Sequence, residues 1–386
     1  MAETLGFVQR VKWNSAASTA FFNVGPTATS TTLLFAVLAE NDTESALALK
    51  RSLVQAMVLA QLAGSEVSVM HPDTGGEVTQ VEMHLRAQNT AVPAFWPAQS
   101  PLFDLLQQSA LPGAIIVLDP DIANVNVTDP VQQTYWQGVV RELQTPKPGG
   151  TRSVLGYVYT GAGSGAPCPP GAAQGPGITP RSLAEVEGEV DRWKMLCPKL
   201  DGIFFDVGPE PDVFTGTATL NGPIAQCVKD FYGTIYQYAK TAFAPARPGH
   251  PVLGGNPDGT VFLNASQYEP DDGGWIMDGP SRACDVANLW EVGIAAYTTT
   301  QPRPTNVYPS DPPSWWTDTR SAPYRIAHVV YSVPDEVNQN QADMRRVVAL
   351  SRQRLAGYVF VYDGTPAAYD HLPPYWAVEV AALDSP

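Results

Sequence analysis

Four carboxylates stand out because each closes a short apolar run: Asp119 after Ala-Ile-Ile-Val-Leu, Asp206 after Gly-Ile-Phe-Phe, Glu291 after Asn-Leu-Trp, and Asp363 after Phe-Val-Tyr. Two carboxyl groups facing each other across a glycosidic bond suffice to hydrolyse it. One donates a proton to the leaving oxygen; the other activates water, stabilises positive charge or attacks as a nucleophile. The plainer account, a helix cap or an arginine partner, covers one such acid more easily than Asp206 and Glu291 together. Aromatic residues fall at or just past the ends of similar runs: Trp96, Tyr159, Trp290, Tyr297, Trp315 and Trp316. Their flat apolar faces and polar edges suit stacking on a sugar ring, although core packing explains any single one. His328 reads as an oriented groove or core histidine. With no second His or Cys at ligand spacing, no metal and no cofactor is expected.

Carboxylates at run ends need a scaffold that brings those ends together. From residue 91 onward, apolar runs alternate with helical stretches. Strands are expected at Val92–Trp96, Ala114–Asp119, Ser153–Tyr159, Asp201–Asp206, Pro251–Gly255, Asp285–Glu291, Arg325–Ser332 and Gly357–Tyr362. Helices are expected at Leu102–Ala110, Val131–Leu143, Leu183–Leu196, Ile224–Phe243 and Asn338–Leu355, with the fifth helix of the repeat weakly marked. Eight such repeats make a (β/α)8 TIM-type barrel, whose active face is built at the carboxyl ends of the strands. The Gly- and Pro-rich stretch Thr160–Pro180 and the stretch Gly293–Pro313 are then long loops on that face.

Residues 1–88 follow a different pattern. Leu5–Trp13, Thr19–Val24, Thr31–Leu38, Glu66–Met70 and Glu77–His84 read as strands, with a helix from Asp42 or Thr43 to Leu62 between the third and fourth. That is the order of a small all-β OB-like barrel domain with one helix. The helix is apolar nearly all round (Leu47, Leu49, Leu53, Val54, Met57, Val58, Leu62), so a second face is expected to pack on another copy or another domain, or simply to be tolerated in water.

Composition narrows the partners. With 23 Lys+Arg against 38 Asp+Glu, the chain carries a formal charge of −15, and no basic run offsets it. Nucleic acid is therefore not an expected ligand. No apolar run approaches the roughly 20 residues of a membrane span. The first residues lack the features of a secretory signal, so synthesis in the cytoplasm is the expectation, with particle-borne or non-classical export left open and the final compartment unknown. Four widely spaced cysteines without a CxxC read most simply as buried thiols.

Several stretches, in order, resemble the spherulin-4 family of polysaccharide-cleaving glycoside hydrolases. They are Gly156-Tyr-Val-Tyr-Thr160, Asp201-Gly-Ile-Phe-Phe-Asp206, Asn256-Pro-Asp-Gly259, Asp285-Val-Ala-Asn-Leu-Trp-Glu291, Ala327-His328, Tyr362-Asp-Gly and Leu372-Pro-Pro-Tyr-Trp376. The resemblance spans residues 91–386 and leaves out the N-terminal part. It implies a TIM barrel acting on an amino-sugar polysaccharide of the galactosaminogalactan kind, with Asp206 and Glu291 catalytic. Asp119, Tyr159, Trp96, Trp290, Tyr297, His328 and Asp363 would then line the substrate groove. The family's fourth strand ends in an Asp-Glu pair, whereas here Val207 follows Asp206. Either Glu210 supplies the lost carboxylate, or Asp206 and Glu291 suffice, or the barrel binds carbohydrate without cleaving it, as a structural component of a virion or surface assembly.

Overall fold

A computed structural model describes residues 2–14, 19–25, 32–37, 42–63, 66–72, 77–84, 88–111, 113–145, 152–161, 181–208, 226–243, 259–265, 274–277, 282–298, 325–335, 341–354, 356–366 and 369–384. The chain divides into two compact units, one built on Met1–Ala87 and the other on Gln88–Trp316 and Tyr324–Ser385.

In the first unit, β1 (Ala2–Asn14), β2 (Thr19–Gly25), β3 (Thr32–Val37), β4 (Glu66–His71) and β5 (Gln80–His84) form an antiparallel sheet in the order β3-β2-β1-β4-β5. The long β1 serves both halves: Phe7–Asn14 pairs with β2 and Ala2–Phe7 with β4, and the register shifts between Val8 and Arg10. The β3 side meets the β5 side at a parallel bridge, where the Val78 N–H donates to Phe35 O at 2.7 Å. Helix α1 (Glu44–Ala63) starts with Thr43 Oγ1 accepting from the Ala46 N–H and with Glu44 in its first turn, which satisfies a free donor and complements the helix dipole. It buries Leu53 and Met57 against Phe22, Val24, Leu34 and Val69. Leu49 is 57% exposed, while Leu47 and Val54 are half-buried. The side chains of Val58 and Leu62 lie outside the described ones.

The second unit holds eight parallel strands: β6 (Ala91–Ala94), β7 (Ile115–Leu118), β8 (Ser153–Tyr159), β9 (Gly202–Asp206), β10 (Thr260–Asn264), β11 (Val286–Gly293), β12 (Ile326–Tyr331) and β13 (Tyr358–Val361). Each pairs with the next. Asn89 joins the last to the first: its N–H donates to Gly357 O and its carbonyl accepts from the Val359 N–H, both at 2.9 Å. This is a TIM-type barrel. Around it lie α2 (Leu102–Gln108), α3 (Pro130–Gln144), α4 (Leu183–Leu196), α5 (Gln226–Ala242), α6 (Gly274–Met277), α7 (Ile294–Tyr297), α8 (Ala342–Gln353) and α9 (Trp376–Asp384). Local chemistry sets their starts. Asp129 caps α3, with Pro130 at the first helical position, and Ser182 with Glu185 forms a capping box on α4.

The inside of the barrel is filled by every second residue of the strands: Ile115 and Val117, Leu155, Phe204, Phe262, Val286, Ala327 and Tyr358. The fifth strand departs from expectation. Pro251–Gly255 lies outside the described residues, and the strand between β9 and β11 is Thr260–Asn264, in register with both. Its five residues are all buried, so this short run, directly after Gly259, has the continuous apolar character of a strand covered on both faces. Beside it, Gly202 has φ +153°, and a Cβ there would fall 1.8 Å from Thr260 O; only glycine lets β9 and β10 close at this point. The cysteines also depart from the simplest reading. Cys227 is disulfide-bonded, whereas Cys197 and Cys284 are free and buried.

Candidate active site

Strand alternation delivers the site. On β9, Phe204 and Asp206 face inward; on β10, Phe262 and Asn264; on β8, Leu155 and Tyr157. Strict alternation on β11 would send Val286, Asn288 and Trp290 to the inside and leave Glu291 outside. A register shift between Asn288 and Trp290 prevents this. Asn288 pairs with Ala327, yet Trp290 pairs with His328 and Glu291 with Val329. The extra residue flips the parity, so Glu291 enters the barrel with Val329 while Trp290 leaves it with His328.

At the centre, Asn264 Nδ2 donates to both acids, to Asp206 Oδ1 at 2.8 Å and to Glu291 Oε2 at 2.7 Å. One nitrogen at these two distances holds the two oxygens no more than about 5.5 Å apart. The Asn288 side-chain amide packs 2.9 Å from Asn264 Oδ1 on one side and 2.9 and 3.0 Å from the Ala327 and Trp290 carbonyl oxygens on the other. Each acid has a second donor. Tyr157 Oη lies 2.7 Å from Asp206 Oδ2, and Tyr369 Oη 2.6 Å from Glu291 Oε1. Burial, then the charge and hydrogen bond of the neighbouring carboxylate, hold both phenols far above the usual tyrosine range, so they act as neutral donors. Burial is also the main influence on Glu291 and raises its pKa. The Tyr369 and Asn264 hydrogen bonds oppose that rise and the Asp206 charge adds to it.

The two acids, Asn264 and Asn288 line a cavity of about 280 Å³, walled by Ala91, Pro93, Phe95, Val117, Phe204 and Phe262, with Val207, Val329, Pro366 and Tyr369 around the acids. Of the residues singled out in the sequence, Asp206 and Glu291 lie here. Asp119 follows β7 on the inward parity of Ile115 and Val117 and feels the Asp206 charge. Desolvation pushes its pKa up to about 6, against the hydrogen bond it accepts from the Asp121 N–H. Tyr159 pairs in register with Asp206 at the end of β8 and is half-buried. Asp363 gives one oxygen to His371 Nε2 at 3.0 Å.

The remaining candidates lie elsewhere. Trp96 is 1% exposed and packs on Phe103. Trp290, Tyr297 and His328 form a buried cluster on the outer side of the strands, with Tyr297 Oη 2.7 Å from His328 Nδ1 and the Arg354 guanidinium over both aromatic rings. Burial, then the Arg354 charge, depresses the His328 pKa to about 3, so the ring is neutral. Their faces are taken by one another and are not open to a sugar. Phe95, Tyr157, Tyr369, Asn264 and Asn288 take the places expected of them. The alternation Ala91, Pro93, Phe95 marks Phe95 in the sequence, whereas Tyr369 lies on no strand and carries no such signal. Glu210, Trp315, Trp316 and the loop stretches 162–180 and 299–324 lie outside the described residues.

The profile of spherulation-specific family 4 matches residues 91–383. The chain belongs to that family. No curated protein matches it. Among solved structures, Sph3 of Aspergillus clavatus in complex with GalNAc is 15% identical, with a TM-score of 0.48 over 77% of this chain and 98% of its own. An endocellulase of Pyrococcus horikoshii solved with cellotetraose is 10% identical, with a TM-score of 0.35 over 83% and 95%.

In this family 4 barrel the residue after the strand-end aspartate is Val207, at φ 55°. That conformation is unfavourable for a β-branched residue. Its carbonyl is held by Thr160 Oγ1 at 2.7 Å and Tyr232 Oη at 3.1 Å. The next N–H, that of Gly208, donates to Asn264 O at 2.7 Å. The strained turn is thus tied to the strand that carries Asn264.

Proposed function

We propose that the barrel is a glycoside hydrolase acting on an amino-sugar polysaccharide, of the galactosaminogalactan kind, with Asp206 and Glu291 as the catalytic pair. The observation that carries this reading is the single Asn264 amino group shared by the two carboxylates. It keeps the two bonded oxygens within about 5.5 Å of each other, which accords with the roughly 5–5.5 Å gap of retaining glycosidases better than with the wider gap that admits water in inverting ones. Glu291 suits the proton donor. Burial favours its neutral form, and both its oxygens already face donors, so an added proton is directed at a substrate oxygen. Asp206, fixed by Tyr157 and Asn264, is placed to attack or to stabilise the developing positive charge. Phe95 and Tyr369 offer ring surface beside the acids, and the acidic chain attracts a polymer bearing free amines. Family membership supports the same reading.

A second reading, a barrel that binds carbohydrate without cleaving it, is favoured by Val207, which supplies no carboxyl where the family resemblance implies a second acid. The OB-like assignment of the N-terminal unit, supported by its strand order and helix position, allows that unit to serve in oligomerisation or assembly. Reducing-end release from partly deacetylated galactosaminogalactan separates the readings. Hydrolysis predicts release by the native protein and a loss of at least about a thousandfold in Asp206→Asn and in Glu291→Gln. Binding of the polymer with no release by the native protein would establish the second reading.

A further inference from the structure

Tyr369, the second donor to Glu291, belongs to a segment outside the strands, and what fixes that segment fixes the donor. Two residues on, His371 is clamped between acids. Its Nδ1 lies 2.7 Å from Asp370 Oδ1 and 3.0 Å from Tyr362 Oη; its Nε2 lies 3.0 Å from Asp363 Oδ1. Tyr362 Oη also donates to Asp370 Oδ1 at 3.1 Å, and the imidazole rests on the Tyr362 ring at 4.9 Å. Tyr362 also packs on the Tyr369 ring at 5.1 Å. The groups facing the imidazole are therefore Asp370 on its own segment and, from just beyond β13, Tyr362 and Asp363. A neutral imidazole has one N–H and can satisfy one carboxylate; both nitrogens donate only in the imidazolium.

We propose that His371 is a protonation-dependent positioning residue: as an imidazolium it ties the Tyr369–His371 segment to the end of β13 and so holds the Tyr369 hydroxyl on Glu291. Loss of the proton releases one of the two carboxylate contacts and loosens Tyr369 from Glu291. Burial lowers the His371 pKa, but the hydrogen bonds and charges of Asp370 and Asp363 more than offset that and leave it above the ordinary histidine value, so the tie persists to a higher pH than an unpartnered histidine would allow. The consequence for catalysis rests on the hydrolase reading given above; the tie itself does not.

The test compares the native protein with His371→Gln at about pH 5.5 and about pH 9, on either side of the His371 transition. Two readouts are taken: reducing-end release, and hydrogen exchange at the amides of Tyr369 and Asp370 corrected for intrinsic rate. The ratio of variant to native cancels the titration of Glu291 itself. The expected result is a loss of about tenfold in kcat at pH 5.5 that shrinks to within about twofold at pH 9. Exchange in the variant should be about tenfold faster at the lower pH, with the native protein reaching the variant's rate at the higher one. Asp363→Asn should move the native step to lower pH, and it carries the test if His371→Gln does not fold. An exchange step without release by any form would sink the hydrolase reading and uphold the tie. A pH-independent loss, or native exchange with no step, would overturn the tie whatever the release shows.

Discussion

Asn264 sits between two acids whose charges repel, and it is neutral. A lysine there would pair with both carboxylates and hold them charged; a leucine would leave them unpaired in a recess with apolar walls. An amide donates to both without forcing either charge state, so Glu291 keeps a raised pKa while its position stays fixed. Asp119 has less support. It accepts one backbone hydrogen bond, feels Asp121, Glu189 and Asp206, and is pushed up to about 6 mainly by burial. Its folded pKa lies above the ordinary aspartate value, so its stability contribution is complete below that value and is lost as pH rises through about 6. Asp119→Asn keeps the acceptor for Asp121 and removes the charge. It should stabilise the protein by about 1–2 kcal/mol at pH 8 and change little at pH 4, read from urea midpoints at the two pH values. At this scale, the acids were visible in the sequence because they end apolar runs. Asn264 and Tyr369 were not, since an amide closing an unnoticed strand and a tyrosine between the last strand and the last helix carry no pattern of their own.

Most of the elements were legible because buried parallel strands are continuous apolar runs and the helices carry capping residues, as at Ser182 and Glu185. The fifth strand was misplaced because Thr260–Asn264 is only five residues long and follows a stretch with an equally plausible run. The bulge in β11 had the larger effect on the site. A period-2 reading cannot register one extra residue, and that residue decides whether Trp290 or Glu291 enters the barrel. The outer and inner sides of the barrel wall make opposite predictions. Trp290→Ala empties a packed cluster with Tyr297, His328 and Arg354, and should lower stability by about 3–5 kcal/mol while leaving, under the proposed hydrolase function, the KM of the folded fraction near native. Phe95→Ala removes a cavity wall and should raise KM several-fold with a smaller loss of stability. Calorimetry and initial-rate kinetics on the same preparations check both. A Trp290 variant with native stability and impaired binding would return that ring to the substrate groove.

For the whole molecule, composition and alternation pointed to two different architectures in one chain, and the remaining question is where the barrel begins. The sequence places the change of pattern between about Arg86 and Ala91 and starts the barrel at residue 91, which leaves Gln88–Thr90 outside it. The hydrogen bonds put these residues inside the barrel instead. The Gln88 N–H donates to Leu383 O, and its side chain reaches Ser351 Oγ and Ala356 O at 2.7 and 2.8 Å. Asn89 exchanges both of its backbone hydrogen bonds with the Gly357–Val359 stretch. Without Asn89 the ring of strands has an open seam between β6 and β13, with unpaired backbone groups on both edges. A chain beginning at Ala87 should therefore fold as a barrel with a cooperative melting transition, whereas one beginning at Ala91, four residues shorter, should melt at least about 8 °C lower or aggregate. Equal melting temperatures for the two truncations would mean that the seam contributes nothing. Failure of both would mean that the barrel depends on the N-terminal unit, and that the two compact units form one cooperative structure.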